Sequence, residues 1–210
     1  MPAAESKLYT VALWLAIFTI LYNLLEGIVA TVLGFQDETL ALFGFGLDSF
    51  IEMISGLGIL YMIFRIRIAP ESSRSAFEST ALRVTGYSFY GLVALLVATS
   101  ALNIITGHRP VTTFWGVVIS AISILVMLAL IYGKIRVGNQ LQSQAILADA
   151  SCTKICIYMS CVLLASSGIY ELTGFTYADS IGTLGLAWFA LQEGRECFAK
   201  ARNQDLHCCH

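Results

Sequence analysis

Two residue pairs carry the chemistry this chain has to account for: Asp48 with Glu52, and far downstream Cys152 with Cys156. Each pair is spaced i,i+4, and each lies inside an apolar stretch long enough to cross a bilayer. On a helix, at about 100° and about 1.5 Å per residue, such a pair shares one face, roughly 6 Å apart along the axis. Carboxylates and thiols are costly in hydrocarbon unless they face a bundle interior, pair, or bind an ion. The pairs are also in register, because Asp48 to Cys152 and Glu52 to Cys156 are both 104 residues. Small residues precede each pair, Gly44 and Gly46 in the first stretch and Ala148 and Ala150 in the second. Two helices of similar design, each offering two ligand atoms, point to one intramembrane metal site.

Neighbouring residues extend that site. Asp149, Cys152 and Cys156 follow i, i+3, i+7 and share one stripe. Two acids at i,i+4 repel without a cation or a proton between them, which argues against simple polar packing for Asp48 and Glu52. A buried cysteine is often only a small hydrophobe, and Cys161, off the stripe, reads that way. Lys154 sits about 200° around the helix from Cys152. It could pair with Glu26 or Asp179, snorkel to an interface, or compete with a bound cation. Asn23 and Glu26 stand at i,i+3 in an earlier stretch, at a depth expected to match Asp48. Glu26 is then a fifth acceptor, a proton carrier, or the partner of Lys154. Asp179 caps a later helix or lines an outer mouth.

The donor set selects ions. Two carboxylates and two thiolates make a tetrahedral site of mixed hardness, suited to Zn²⁺ and, through sulfur, to softer Cd²⁺ or Hg²⁺. Mg²⁺ and Ca²⁺ prefer all-oxygen shells. Thiols lose protons to bind metal, so loading depends on pH and exchange of protons for metal follows naturally.

The elements that must hold these residues are helices in a membrane. The chain is 57% hydrophobic and 12% charged, whereas soluble domains average about 25% charged. The formal net charge of −2 says nothing about nucleic acid, but no basic run looks built for phosphate, and no nucleic-acid partner is expected. Six apolar segments reach spanning length: 8–34, 39–65, 79–106, 112–137, 143–171 and 175–195. Arg65, Arg67 and Arg74 lie between spans two and three, Lys134 and Arg136 between four and five, and Arg195, Lys200 and Arg202 after six. The positive-inside rule therefore predicts both termini in the cytoplasm. The expected organisation is a transport domain over 1–196 and a short Cys/His tail over 197–210. No cleavable leader pattern precedes the first span. The tail, ending His207, Cys208, Cys209, His210, reads as a weak metal-capture end, an S-acylation site or an incidental terminus.

At these residues the chain resembles the cation diffusion facilitator family. The matching stretches are 41–52 (Ala-Leu-Phe-Gly-Phe-Gly-Leu-Asp-Ser-Phe-Ile-Glu), 143–156 (Ser-Gln-Ala-Ile-Leu-Ala-Asp-Ala-Ser-Cys-Thr-Lys-Ile-Cys) and 174–180 (Gly-Phe-Thr-Tyr-Ala-Asp-Ser). The resemblance implies six spans and a transport site made of a His/Asp-x-x-x-Asp pair on span two and another on span five. Carried over, Asp48 and Glu52 occupy the first pair, Cys152 and Cys156 the second. The chain departs from the pattern at Glu52, Cys152 and Cys156, and at Ser180, where the family has proline. It looks closest to the small members without a cytoplasmic metal-binding domain, and the resemblance implies a homodimer.

The expectation is an all-α, six-span membrane protein that is no enzyme and needs no cofactor. It would move Zn²⁺ or a similar ion (Cd²⁺, Co²⁺, Fe²⁺ or Hg²⁺) in exchange for protons, by alternating access, across the plasma (cell inner) membrane. The ion would be held by Asp48, Glu52, Cys152 and Cys156, with Asp149 on the approach and Glu26 and Asn23 secondary. The alternative is a metal-binding membrane sensor or interaction subunit that does not transport. A Cys152–Cys156 disulfide-exchange protein ranks last, because i,i+4 on a regular helix suits disulfide geometry poorly.

Overall fold

The structure is a computed structural model that describes residues 3–36, 40–68, 74–106, 114–173 and 178–207. Those residues form helices α1 (Ala3–Gln36), α2 (Leu40–Ile68), α3 (Arg74–Thr106), α4 (Phe114–Leu141), α5 (Gln144–Thr173) and α6 (Ala178–His207). Hydrocarbon offers the backbone no hydrogen bonds, so an apolar run satisfies its own N–H and C=O groups as a helix. Five of the helices are long and apolar enough to cross a membrane. The sixth expected span, 175–195, starts outside the described residues, and its helix turns polar at Gln192 and Glu193. The fold is an all-α polytopic membrane bundle.

Large apolar residues face outward as well as inward. Along α1, Val11, Trp14, Phe18, Leu21, Leu25, Ile28, Val32 and Phe35 are all exposed. They recur every three or four residues, which marks the stripe that meets lipid. The polar residues of the same helix, Thr19, Asn23 and Glu26, are buried. Around the bundle the helices touch in the order α1, α2, α3, α6, α5, α4 and back to α1, while α5 also packs on α2 and α3 through the middle. That places the two candidate ligand helices against each other at the centre.

Close approach between α1 and α2 depends on Gly46. A Cβ there would stand 2.6 Å from the backbone nitrogen of Thr31 and 3.0 Å from the carbonyl oxygen of Gly27. Neither backbone atom can yield without moving α1, and small residues are what allow membrane helices this contact. Gly46→Ala is expected to cost about 1–3 kcal/mol by overpacking, read as a lower melting temperature in detergent. An unchanged melt would mean that α1 and α2 do not pack this closely.

The α4–α5 connection is a tight reversal. Gln142 adopts φ 51°, and the Gln142 and Ser143 amides donate to the Asn139 and Gly138 carbonyls at 3.3 and 3.0 Å, closing the end of α4. Ser143 caps α5 by accepting from the Ile146 amide at 3.4 Å. Buried Glu78 of α3 accepts the Ser143 hydroxyl at 2.6 Å and the Ala145 amide at 3.3 Å, a carboxylate at a helix N-terminus. Lys134 and Asp149 lie equally far from this turn, about 11 Å along each helix. The hairpin therefore brings them level.

Helix α1 starts at Ala3 rather than 8, α2 ends at Ile68 rather than 65 and α3 starts at Arg74 rather than 79, and two further differences bear on the site. Helix α4 runs to Leu141 rather than 137, because residues 138–141 pack against α5 before the turn. Helix α6 continues through 196 to His207, with Cys197 and Ala201 buried and the Ser79 hydroxyl donating to the Ala201 carbonyl at 3.3 Å. The first part of the expected tail is thus helix packed on α3. Cys208, Cys209 and His210 lie outside the described residues.

Candidate metal site between α2 and α5

Asp48 (1% exposed), Glu52 (0%), Cys152 (0%), Cys156 (2%) and Asp149 (2%) are all buried where α2 meets α5. The helices run antiparallel, so the contacts pair crosswise. Cys156 lies beside the Asp48 carboxylate and beside Cys152. One turn along, the Thr153 hydroxyl donates to Glu52 Oε1 at 2.5 Å. A further turn along, the Ser55 hydroxyl donates to Asp149 Oδ1 at 2.7 Å. The 104-residue register is a likeness of the two sequences, whereas in space Asp48 meets Cys156 rather than Cys152.

Lys134 of α4 enters this site. It is 2% exposed, and its ammonium stands 2.8 Å from Asp149 Oδ2 and 3.7 Å from Glu52 Oε1. It also donates to the Thr153 hydroxyl at 2.8 Å. The sequence groups Lys134 with the loop cations that orient the chain, whereas in the structure it is an internal cation. The reason is the extension of α4 by a further turn, which lifts residue 134 off the boundary and onto the level of Asp149. Its position inside the apolar segment 112–137 was the available signal.

A hydroxyl has one proton to give, and this fixes the direction of the network. Ser55 spends its proton on Asp149, so the Thr85 hydroxyl of α3, 3.1 Å away, donates to Ser55. The chain then runs from Thr85 to Ser55 to Asp149, which Lys134 also contacts, and from Lys134 through Thr153 to Glu52. Ser55, Thr85 and Thr153 do not stand out in the sequence, since hydroxyls are common in membrane helices and only the packing shows which group each one serves.

Glu26 lies next to this centre, as its expected depth required. It accepts the Tyr22 hydroxyl at 2.9 Å and, from α2, the Ser49 hydroxyl at 3.0 Å. It is not the partner of Lys154. That lysine is exposed on the outer side of α5, with its ammonium 5.7 Å from the centre of the Tyr158 ring. Asn23 is fully buried, donates to the Thr19 carbonyl at 3.0 Å and leaves its own Oδ1 without a partner. Cys161 is exposed rather than packed inside. The side chain of Asp179 lies outside the described residues.

Two carboxylate oxygens at the centre, Asp48 Oδ1 and Glu52 Oε2, are buried without a hydrogen-bond partner. Such groups are costly unless something meets them. Among the described residues, no three His, Cys, Asp or Glu side chains converge around a single point at metal-binding distance. Lys134 accounts for part of this, since it engages Glu52 and Asp149 while Asp48 stays with the thiols.

Residues 11–204 match the family model of the cation efflux transmembrane domain. The chain belongs to the cation efflux family. The match contains every residue of the α2–α5 site together with Lys134 and Glu26. A search of curated proteins found no match. As a cation efflux protein the chain is an integral, multi-pass membrane transporter of divalent cations.

Proposed function

We propose that this protein exports Zn²⁺ or a similar divalent transition-metal ion in exchange for protons, through a site between α2 and α5. The observation that carries the reading is charge imbalance. Glu26, Asp48, Glu52 and Asp149 are four buried carboxyls around one buried ammonium, Lys134. A charge at mid-bilayer costs about 2.5–3.5 kcal/mol or more, so the excess acids need protons or a cation, and a divalent ion offsets two of them. Asp48 and Glu52 supply oxygens through their unpartnered atoms, and Cys152 and Cys156 supply thiolates after releasing protons. Asp149 lines the approach.

Lys134 gives the cycle its resting state. With the centre empty of metal, its ammonium compensates Glu52 and Asp149. An arriving ion draws Glu52 away from a contact that is already long, 3.7 Å, and Lys134 retains Asp149. Rocking of the bundle then exposes the site to the other side, and protons or Lys134 restore the charge. Both termini face the cytoplasm, the protein acts as a homodimer, and it sits in the plasma (cell inner) membrane.

A non-transporting metal sensor is the second reading, favoured by the fixed cation at the centre. Proteoliposomes separate the two. Zn²⁺ or Cd²⁺ added on one side is expected to move across and to drive opposite proton movement. Cys152→Ser with Cys156→Ser is expected to keep Zn²⁺ flux while lowering the preference for Cd²⁺ about tenfold, as softer donors are lost. Tight metal binding without flux at any pH would leave the sensor standing and remove the transporter.

A further inference from the structure

Helices α3 and α6 share the most extensive helix contact of the bundle, and at one end it opens into a groove of about 470 Å³. Three arginines line that groove: Arg83 of α3, and Arg195 and Arg202 of α6. The aromatic rings of Tyr90 and Phe198 form its floor, with centroids 5.3 Å apart. The rings are seated by missing side chains on the facing helices. A Cβ at Gly86 would stand 2.8 Å from the Phe198 ring, and one at Gly194 would stand 2.9 Å from the Tyr90 ring. None of the described lining residues is acidic. The nearby Glu196 is engaged elsewhere, 2.8 Å from Lys200.

Both helices continue away from the arginines as exposed apolar stripes. On α3, Arg83 is followed at intervals of seven by Tyr90, Val97 and Ile104, and the three apolar residues are exposed. On α6, Arg202 and Arg195 are preceded on the same side by Trp188, Leu184 and Ile181, all exposed. The groove thus joins a cluster of guanidinium groups to a track of hydrocarbon-facing side chains. Guanidinium groups match phosphate oxygens in a bidentate fork, and basic pockets between membrane helices take anionic headgroups. A free phosphate would use only the arginine end.

We propose that this groove binds an anionic phospholipid, its headgroup phosphate held by Arg195 and Arg202 and its acyl chains lying along α3 and α6. The proposal is independent of the ion transported. Native mass spectrometry of the full chain in detergent, titrated with phosphatidylglycerol and with phosphatidylcholine, tests it. Phosphatidylglycerol is expected to be retained at least about tenfold more tightly, and Arg195→Gln with Arg202→Gln is expected to weaken it by about fivefold per arginine. Arg136→Gln, at an exposed basic residue of α4 away from the groove, is the control and leaves retention unchanged. Equal retention of both lipids, equal loss in Arg136→Gln, or full displacement by millimolar inorganic phosphate would overturn the proposal. If the double variant melts earlier than the parent, the single Arg202→Gln, near the polar end of α6, gives the same reading.

Discussion

Lys134→Met is expected to destabilise the protein sharply in metal-free buffer and to make the stability that remains depend on divalent ions. Methionine fills a similar volume but leaves Asp149 and Glu52, both buried, without the ammonium now 2.8 and 3.7 Å away. Removing one partner from a buried ion pair costs about 3–5 kcal/mol, because the other charge stays in place uncompensated. A divalent ion supplies the missing charge. It stabilises by about 2.7 kcal/mol once its concentration is about 100 times Kd, so Zn²⁺ or Cd²⁺ should recover much of the lost melting temperature. Ion binding no longer has to draw Glu52 away from a resident cation, so apparent affinity should rise at least about tenfold, while release slows and flux falls. Thermal melts with and without Zn²⁺ measure the first effect. A variant that melts like the parent without metal, or gains nothing more than the parent does from it, would make Lys134 a packing residue.

Asp48→Asn separates function from stability. Its Oδ1 is a buried acceptor with no hydrogen-bond partner, and the side chain is 1% exposed beside Cys156. An unsatisfied buried polar group costs about 1–3 kcal/mol, and more when charged. The amide removes the charge at nearly the same shape, so the variant should melt at or above the parent temperature. Flux in proteoliposomes should fall by at least about 100-fold, the upper end of what disturbing a metal site's supporting groups already costs. Gain of stability with loss of activity is the signature of a residue kept for function. Glu26→Gln is the comparison. Glu26 already has two hydroxyl donors, so its loss should cost less flux. Equal flux in Asp48→Asn and the parent would remove Asp48 from the path.

The helices were legible because hydropathy over some twenty residues is a strong signal, and the i,i+4 spacing made the α2 and α5 pairs legible by helix geometry alone. Pairing between helices was not. The shared offset of Asp48/Cys152 and Glu52/Cys156 carries no direction, and antiparallel packing crosses the pairs so that Ser55 meets Asp149 and Thr153 meets Glu52. The inward place of Lys134 is hidden in the sequence for a related reason. A lysine near the end of an apolar run is usually an orienting charge, and only the tight turn at Gln142, closing α4 later than hydropathy indicates, shows that it lies inside. Lys154 was the reverse case, a cation in mid-span that turned out to face outward over Tyr158.

The central claim, that one ion is held jointly by α2 and α5, is tested most directly by anomalous scattering from crystals soaked in Cd²⁺. The expected peak lies between the Asp48 carboxylate and the Cys152 and Cys156 sulfurs, with Glu52 turned towards it and Lys134 left on Asp149. A soaked ion found only outside the α2–α5 contact, with Lys134 still bridging Glu52 and Asp149, would contradict it.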